Sequence, residues 1–145
     1  YRKTGYQELN QLGLVACQAA YEKGDVWLAE LKEYLKGNID YVREFLQTRI
    51  PKIKLVEPEG TYLLWLDCRE LGLNDKELEA LIIDKAGLWL SAGSNFDAQC
   101  GQYERVNITC PRSVLVQAMQ QLENAVKGVR NEDIHKREIC SQVNS

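Results

Sequence analysis

Two helical stripes of apolar residues occupy the first third of the chain. Apolar and small side chains recur every three or four positions from residue 12 to residue 21, and a second stripe runs from residue 28 to residue 46. Asp25 is placed to cap the second helix, and Pro51 ends it. Gly37 weakens the middle of this helix by roughly 1 kcal/mol and allows a bend there. The pattern predicts a short helix followed by a long one.

Beyond Pro51 the apolar period changes from 3.6 to about 2. The segments "IKLV" and "TYLLWLD" alternate in this way and are separated by the turn sequence "EPEG", so they predict two strands. The segment "NDKE", from Asn74 to Glu77, has the form of a capping box and predicts a third helix, which Gly87 ends. A short strand "LWL" is expected next.

The last third of the chain combines a loop, a strand and a helix. The glycine-bearing loop from Gly93 to Gly101 leads into "YERVNITC", where Tyr103, Val106 and Ile108 alternate well enough to predict a strand. Pro111 is placed as the first residue of a final helix. The apolar stripe of this helix ends at Val126, and a loose polar tail is expected after it.

The predicted order is therefore ααββαββα. Some strands are joined by a tight turn and others by a helical crossover, which indicates a mixed sheet of about four strands packed against helices. We expect an α+β fold in one compact domain, in keeping with 145 residues that are 45% hydrophobic and 27% charged. Because the chain starts at Tyr1 in what reads as the middle of a loop, we expect it to be part of a longer protein.

Composition and charge exclude several classes of function. The net charge is −3 and the 18 basic residues are dispersed, so we expect no nucleic-acid partner. Apolar runs are too short for a membrane span and a leader is absent, which predicts a cytoplasmic protein without membrane contact. The five cysteines include no CxxC pair and are expected as thiols, and one histidine supports neither a metal site nor histidine-based catalysis. Motifs of the GxGxxG and phosphate-loop types are also lacking.

Arg105 is the candidate binding residue, because it interrupts the apolar alternation directly after the glycine-bearing loop. A guanidinium donates two parallel hydrogen bonds to a carboxylate and stays charged when partly buried, which suits the binding of a small carboxylate. The alternative is a salt bridge on the surface of the sheet. Spacing alone favours that alternative.

Four segments in order resemble a known family: "NQLGLVACQAAYEKGDVWLAELKEYLKGN", "EPEGTYLLWLDCRELG", "KAGLWLSAGSNF" and "YERVNITCPRSVL". They are similar to the C-terminal part of fold-type I pyridoxal-phosphate enzymes of the class I/II aminotransferase superfamily, and most similar to MalY/PatB-type cystathionine β-lyases. The resemblance covers about residues 10–126. It implies that residues 1–24 connect to a large domain that is missing here, that residues 25–126 form the small domain, and that residues 127–145 are a polar tail.

The resemblance also implies roles for particular residues. Arg105, in "RVN", matches the arginine that binds the α-carboxylate of the amino-acid substrate, and Asn95 is a second candidate for a substrate contact. One departure is Asp97, where relatives often have glycine. The Schiff-base lysine and the other groups that hold the cofactor would lie upstream of Tyr1, so no catalytic, cofactor-binding or metal-binding residue is assigned, and no cofactor is expected on the chain alone.

The function implied is that of the substrate-binding part of a pyridoxal 5′-phosphate-dependent carbon–sulfur β-lyase that acts on a sulfur-containing amino acid, inactive by itself and homodimeric as the complete enzyme. An aminotransferase of the same fold is the first alternative. A stand-alone binding or regulatory domain, without a catalytic half, is the second.

Overall fold

The computed structural model describes the backbone of residues 10–143 and the side chains of residues 10–128. The described helices are α1 Gln11–Lys23, α2 Asp25–Arg49, α3 Asp75–Ala80 and α4 Arg112–Val143. The described strands are β1 Lys54–Val56, β2 Leu63–Asp67, β3 Ser91–Ala92 and β4 Tyr103–Asn107. This order confirms the predicted succession ααββαββα and the α+β class. A π turn, Leu81–Lys85, follows α3 directly.

The chain divides into two units between Lys36 and Gly37, inside α2. In the first unit, Asn10 caps α1, because its Oδ1 accepts a hydrogen bond of 2.6 Å from the Gly13 amide. Helix α1 buries none of its residues. Residues 1–9, which belong to the predicted connecting segment 1–24, lie outside the described residues, so that segment stays a prediction.

The second unit contains a four-stranded sheet in the order β1-β2-β4-β3, and all three strand pairs are antiparallel. The prediction of a mixed sheet is therefore wrong. Strands β2 and β3 do run in the same direction, as expected for a helical crossover, but β4 lies between them. Each strand consequently has only antiparallel neighbours, and β4 becomes a central strand.

One face of the sheet, which we call the inner face, is covered by helices. Leu64 and Leu66 on β2 and Val106 on β4 are buried there. The core is completed by the C-terminal half of α2, by the α3 region and by α4, with the buried residues Val42, Leu46, Leu78, Leu81, Ile82, Leu115, Met119 and Leu122. Residues at alternate positions of the strands, among them Trp65 and Arg105, lie on the opposite, outer face.

Two strand predictions need correction. The segment "LWL" is not a strand: β3 is only Ser91–Ala92, and Trp89 is 88% exposed. In β4, the inward positions are Glu104 and Val106, so Tyr103 lies on the outer face rather than beside Val106. Hydrophobicity alone misassigned the face of Tyr103 because an acidic residue occupies an inward position.

Helix α2 continues through the weak point at Gly37, because a buried polar contact fixes this position. Asn38 is fully buried; its Nδ2 donates to the Ile108 carbonyl at 2.9 Å, and its Oδ1 accepts from Arg112 Nε at 2.9 Å. A Cβ atom at Gly37 would lie 3.2 Å from Nη2 of Arg112. The glycine leaves room for this arginine, and the asparagine ties α2 to the segment before α4 and to the start of α4 itself.

The ends of the later helices follow the sequence only in part. The capping box is confirmed: Asn74 Oδ1 accepts from the Glu77 amide at 3.1 Å, and the Glu77 carboxylate accepts from the Asn74 amide at 2.9 Å. Pro111 immediately precedes α4 rather than starting it. The backbone of α4 remains helical to Val143, so the loose tail predicted after Val126 is instead helix, rich in arginine, lysine and glutamate, which favour helix.

None of the helices in the described part of the chain combines the length and the apolar character that crossing a membrane requires.

Candidate functional site

Arg105 lies at the centre of the outer face of the sheet. It is opposite Trp65 of β2 on one side and opposite Ser91 of β3 on the other. Its side chain belongs to a half-buried residue, because the neighbouring strands and the loop after β3 surround it. The position follows from the insertion of β4 between β2 and β3, which no local sequence pattern specifies.

The guanidinium of Arg105 is held by two contacts. Its Nη2 donates to Ser91 Oγ at 3.3 Å, and its central carbon lies 4.5 Å from the centroid of the Phe96 ring. The second distance is within the range of a cation–π interaction. Within residues 10–128, no carboxylate forms an ion pair with Arg105, so the described side chains do not make the sheet-surface salt bridge that was the alternative from sequence.

The Phe96 ring that contacts Arg105 belongs to a group of three aromatic rings on the outer face. Trp65 meets Phe96 edge to face, with ring centroids 5.6 Å apart, and stacks on Tyr103 with centroids 5.7 Å apart. We call Trp65, Phe96, Tyr103 and Arg105 the outer cluster. The Phe96 ring covers part of the guanidinium, and partial loss of water strengthens the attraction of a charge for an anion.

Arg69 provides a comparison on the same face. Its guanidinium lies 5.3 Å from the Tyr103 ring centroid, but its Nε and Nη2 donate to Asp67 at 2.9 and 2.7 Å. The hydrogen bonds from Arg69 lower the pKa of the Asp67 carboxyl, since they stabilise its charged form. Arg69 is thus neutralised within the chain, whereas the fork of Arg105 retains donors for a carboxylate from elsewhere.

The loop before β4 is shaped by Gly93 and Asp97. A Cβ atom at Gly93 would lie 2.0 Å from the carbonyl oxygen of Cys100, so only glycine fits there. This close approach sets up the short 3-10 helix Gly93–Asn95 and brings Phe96 under Arg105. Asp97 caps the next turn, because its Oδ1 accepts from the Gln99 amide at 2.8 Å. The aspartate in place of a glycine therefore has a local structural role.

Asn95 lies apart from Arg105. It is exposed, makes no hydrogen bond with Arg105, and lines a cavity of about 140 Å³ together with Glu104. Successive residues of a strand point to opposite faces, so Glu104 and Arg105 are on opposite sides of the sheet. The described structure does not bring the two candidate residues into contact, and a substrate contact for Asn95 stays a prediction.

The described residues do not fit a pyridoxal-phosphate site by themselves. Lys54 is the one lysine in the four described strands, and its pairing with Asp67 places it on the outer face. Its Nζ is engaged by the carboxylate of Glu70, so it is not available as a Schiff-base amine beside Arg105. Among the described residues, no group of three or more His, Cys, Asp or Glu side chains is arranged to hold a metal ion.

The sequence missed several residues of this region. The sequence pattern does not single out Trp65, Phe96, Tyr103 or Glu104 as site residues. A signal is available for Glu104, since a charged residue two positions before Val106, on the same face of the strand, breaks the pattern that a buried strand face requires. The register between β2 and β4, which creates the outer cluster, had no signal in the sequence.

Curated relatives of the chain include several cystathionine β-lyases and a protein named MalY. "Cystathionine beta-lyase PatB" of Bacillus subtilis is 32% identical over 125 residues, which is 86% of this chain and 32% of that protein. "Protein MalY" of Escherichia coli is 33% identical over 128 residues, 88% of this chain and 33% of that protein. The chain thus spans about one third of the length of the curated relatives it matches. No protein-family model matches it.

Solved structures give the same assignment. Cystalysin from Treponema denticola, whose crystal structure contains a pyridoxal 5′-phosphate cofactor, matches with a TM-score of 0.83 and 30% identity over 88% of this chain and 33% of cystalysin. Aminotransferases match as well: a pyridoxal-phosphate-bound protein from Clostridium difficile 630, assigned as an aminotransferase, has a TM-score of 0.81 and 39% identity over 86% of this chain and 32% of that protein. Among the curated relatives, the aspartate aminotransferase of Pyrococcus horikoshii is 24% identical over 99 residues, 66% of this chain and 25% of that protein. The chain is therefore a relative of the MalY/PatB-type cystathionine β-lyases, within the fold-type I pyridoxal-phosphate enzymes of the class I/II aminotransferase superfamily.

Proposed function

We propose that this chain is the part of a pyridoxal-phosphate-dependent carbon–sulfur β-lyase that binds the α-carboxylate of a sulfur-containing amino acid. Arg105 is the residue that makes this contact. The observation that carries the proposal is its guanidinium, half-buried in the outer cluster and without a carboxylate partner among the described residues. A charged group in this setting gains most from an anion that supplies two acceptor oxygens.

Positioning is the contribution of Arg105 to the reaction. Phe96 supports the guanidinium from one side and Ser91 fixes one of its nitrogens, so the remaining donors keep a defined direction. A carboxylate held by two parallel hydrogen bonds loses rotational freedom, which orients the α-carbon of the substrate. The cofactor, when bound by the longer enzyme, supplies the electron withdrawal that lets a thiol leave. Proton transfer is not assigned to any residue of this chain.

Two alternatives use the same geometry differently. An aminotransferase also needs an arginine for the substrate carboxylate, and the aminotransferase matches support it as the second candidate. A non-catalytic binding domain would use Arg105 for a carboxylate ligand without a cofactor. We further propose that the complete enzyme is a cytoplasmic homodimer, on the basis of the resemblance alone.

The experiment compares three variants of the full-length enzyme. Arg105→Ala should weaken the binding of an unreactive amino-acid analogue by about 2–5 kcal/mol, the usual cost of truncating one member of a desolvated charge pair. Arg105→Lys should recover only part of this loss, because an ammonium lacks the fork. Arg69→Ala is the matched control, since this arginine shares the face but is paired with Asp67.

The readouts separate the candidates. Cofactor absorbance should stay near that of the wild type in all three variants, while the analogue affinity falls only in the two Arg105 variants. Unchanged affinity in Arg105→Ala would remove this arginine from the substrate site. Release of pyruvate and thiol from cystathionine favours the lyase, amino-group transfer to a keto acid favours the aminotransferase, and a full-length protein without cofactor absorbance favours the binding domain.

A further inference from the structure

Glu104 is a buried acid without a partner. It lies on the inner face of β4, directly after Tyr103 in the sequence, and only 3% of its surface is exposed. Within residues 10–128, no side chain or backbone amide donates a hydrogen bond to its carboxylate. Buried carboxylates are normally paired or hydrogen-bonded, because removing a bare charge from water is costly. Its carboxylate oxygens keep a small contact with solvent, because none of the fully buried side-chain oxygens in the described residues is left without a hydrogen bond. The carboxylate is therefore open to a donor that is not one of the described residues.

The carboxylate of Glu104 faces a cavity at the β3 edge of the sheet. The cavity has a volume of about 140 Å³ and lies between β4 and the end of α3. The polar residues Glu79 and Asn95 are part of its lining, and Ile82 and Trp89 supply apolar and aromatic surface. This volume greatly exceeds the roughly 15 Å³ that one water molecule needs. We call it the Glu104 cavity.

The charges around this cavity are of one sign. Burial, and then the negative charge of Glu79, raise the pKa of the Glu104 carboxyl to about 7. The buried Cys68 thiol, directly after β2, has its pKa raised to about 12, first by burial and then by Glu104, so it stays neutral. Two carboxylates that face one small space repel each other when both are ionised. A cation between them would relieve this repulsion.

We propose that the Glu104 cavity binds the ammonium group of a small primary amine. An ammonium carries three N–H donors, and the lining offers acceptors in Glu104, Glu79 and the Asn95 amide. The short alkyl chain would contact Ile82, and the indole of Trp89 is suited to a cation–π contact. Because Glu104 and Arg105 point to opposite faces, this site is separate from the proposed carboxylate site.

The test follows the Glu104 carboxyl by carbon-detected NMR in the full 145-residue chain, with ethylammonium chloride as the probe. A ligand that binds only the ionised form lowers the apparent pKa, by about one unit when its concentration is tenfold above the dissociation constant. Sodium chloride at the same ionic strength should leave the pKa almost unchanged. An equal pKa shift with sodium chloride would show that the effect is charge screening, and it would overturn the proposal.

Variants locate the binding. Ethylammonium should shift the indole resonance of Trp89 in the wild type and in Glu59→Gln, a control in the exposed turn between β1 and β2. The response should be lost in Glu104→Gln. In Glu79→Gln, which changes an exposed residue and leaves the core intact, the affinity for ethylammonium should be several-fold lower. A Trp89 response that persists in a folded Glu104→Gln variant, or the absence of a response in the wild type, would overturn the proposal.

Discussion

Replacing Glu104 by glutamine should remove a pH dependence from the stability of this chain. The pKa of Glu104 is raised from 4.5 to about 7, first by burial and then by the charge of Glu79. The folded state therefore holds its proton between these two values, while the unfolded state has already lost it. The stability that this group contributes is fully present below pH 4.5 and is lost as the pH rises through 7.

The size of the effect follows from the two pKa values. They differ by about 2.5, and each unit corresponds to about 1.36 kcal/mol, so the wild type should lose up to about 3 kcal/mol from this group between pH 4.5 and pH 8. Glutamine has nearly the same shape as the protonated acid and carries no charge to desolvate. Glu104→Gln should therefore match the wild type near pH 4.5 and exceed its stability at pH 8.

Urea denaturation at a series of pH values measures this difference directly. The free energy of unfolding of the wild type minus that of Glu104→Gln should change by as much as about 3 kcal/mol over the series. Glu59→Gln, which removes an exposed carboxylate, should follow the wild type at every pH. A constant difference between the wild type and Glu104→Gln from pH 4.5 to pH 8 would show that Glu104 titrates normally, and it would refute the reasoning from burial.

Two further predictions concern buried and capping amides. Asn38→Ala should lower the free energy of unfolding by about 2–3 kcal/mol, because the Ile108 carbonyl and Arg112 lose their buried partner. The control Asn124→Ala, on the exposed side of α4, should change it by less than about 0.5 kcal/mol. An equal effect of the two substitutions in urea denaturation would contradict this. Asn74→Ala should cost about 1 kcal/mol through loss of the cap on α3, and a change near zero would show that Glu77 and the first turn do not depend on it.

The helices and most of the strands could be predicted because their causes are local. Apolar residues at helical spacing define α2 and α4, and the four residues from Asn74 to Glu77 contain a complete cap. The sequence "EPEG" likewise predicts the turn between β1 and β2. Such features involve residues a few positions apart, so they can be read from a single chain without knowledge of what it packs against.

The arrangement of the strands could not be read in this way. Whether β4 pairs beside β2 or at an edge is decided by contacts between residues 14 to 40 positions apart, such as Ser91 opposite Arg105 and Trp65 opposite Arg105. The same holds for Asn38, whose partners Ile108 and Arg112 are about 70 residues away. A polar residue in the middle of a helix looks like a weak point until its tertiary partner is known.

The candidate site likewise combines features that are local in the sequence with features that depend on tertiary structure. The sequence by itself determined the type of residue, an arginine in a strand after a tight glycine-bearing loop, and the resemblance to a family in which that arginine binds a carboxylate. Only the tertiary structure decided that Arg105 is backed by Phe96 and lacks a described carboxylate partner, while Glu104 turns inward to a cavity with Asn95. The physical reason is that side-chain chemistry is encoded residue by residue, but burial and electrostatic surroundings arise from segments that meet only when the sheet forms.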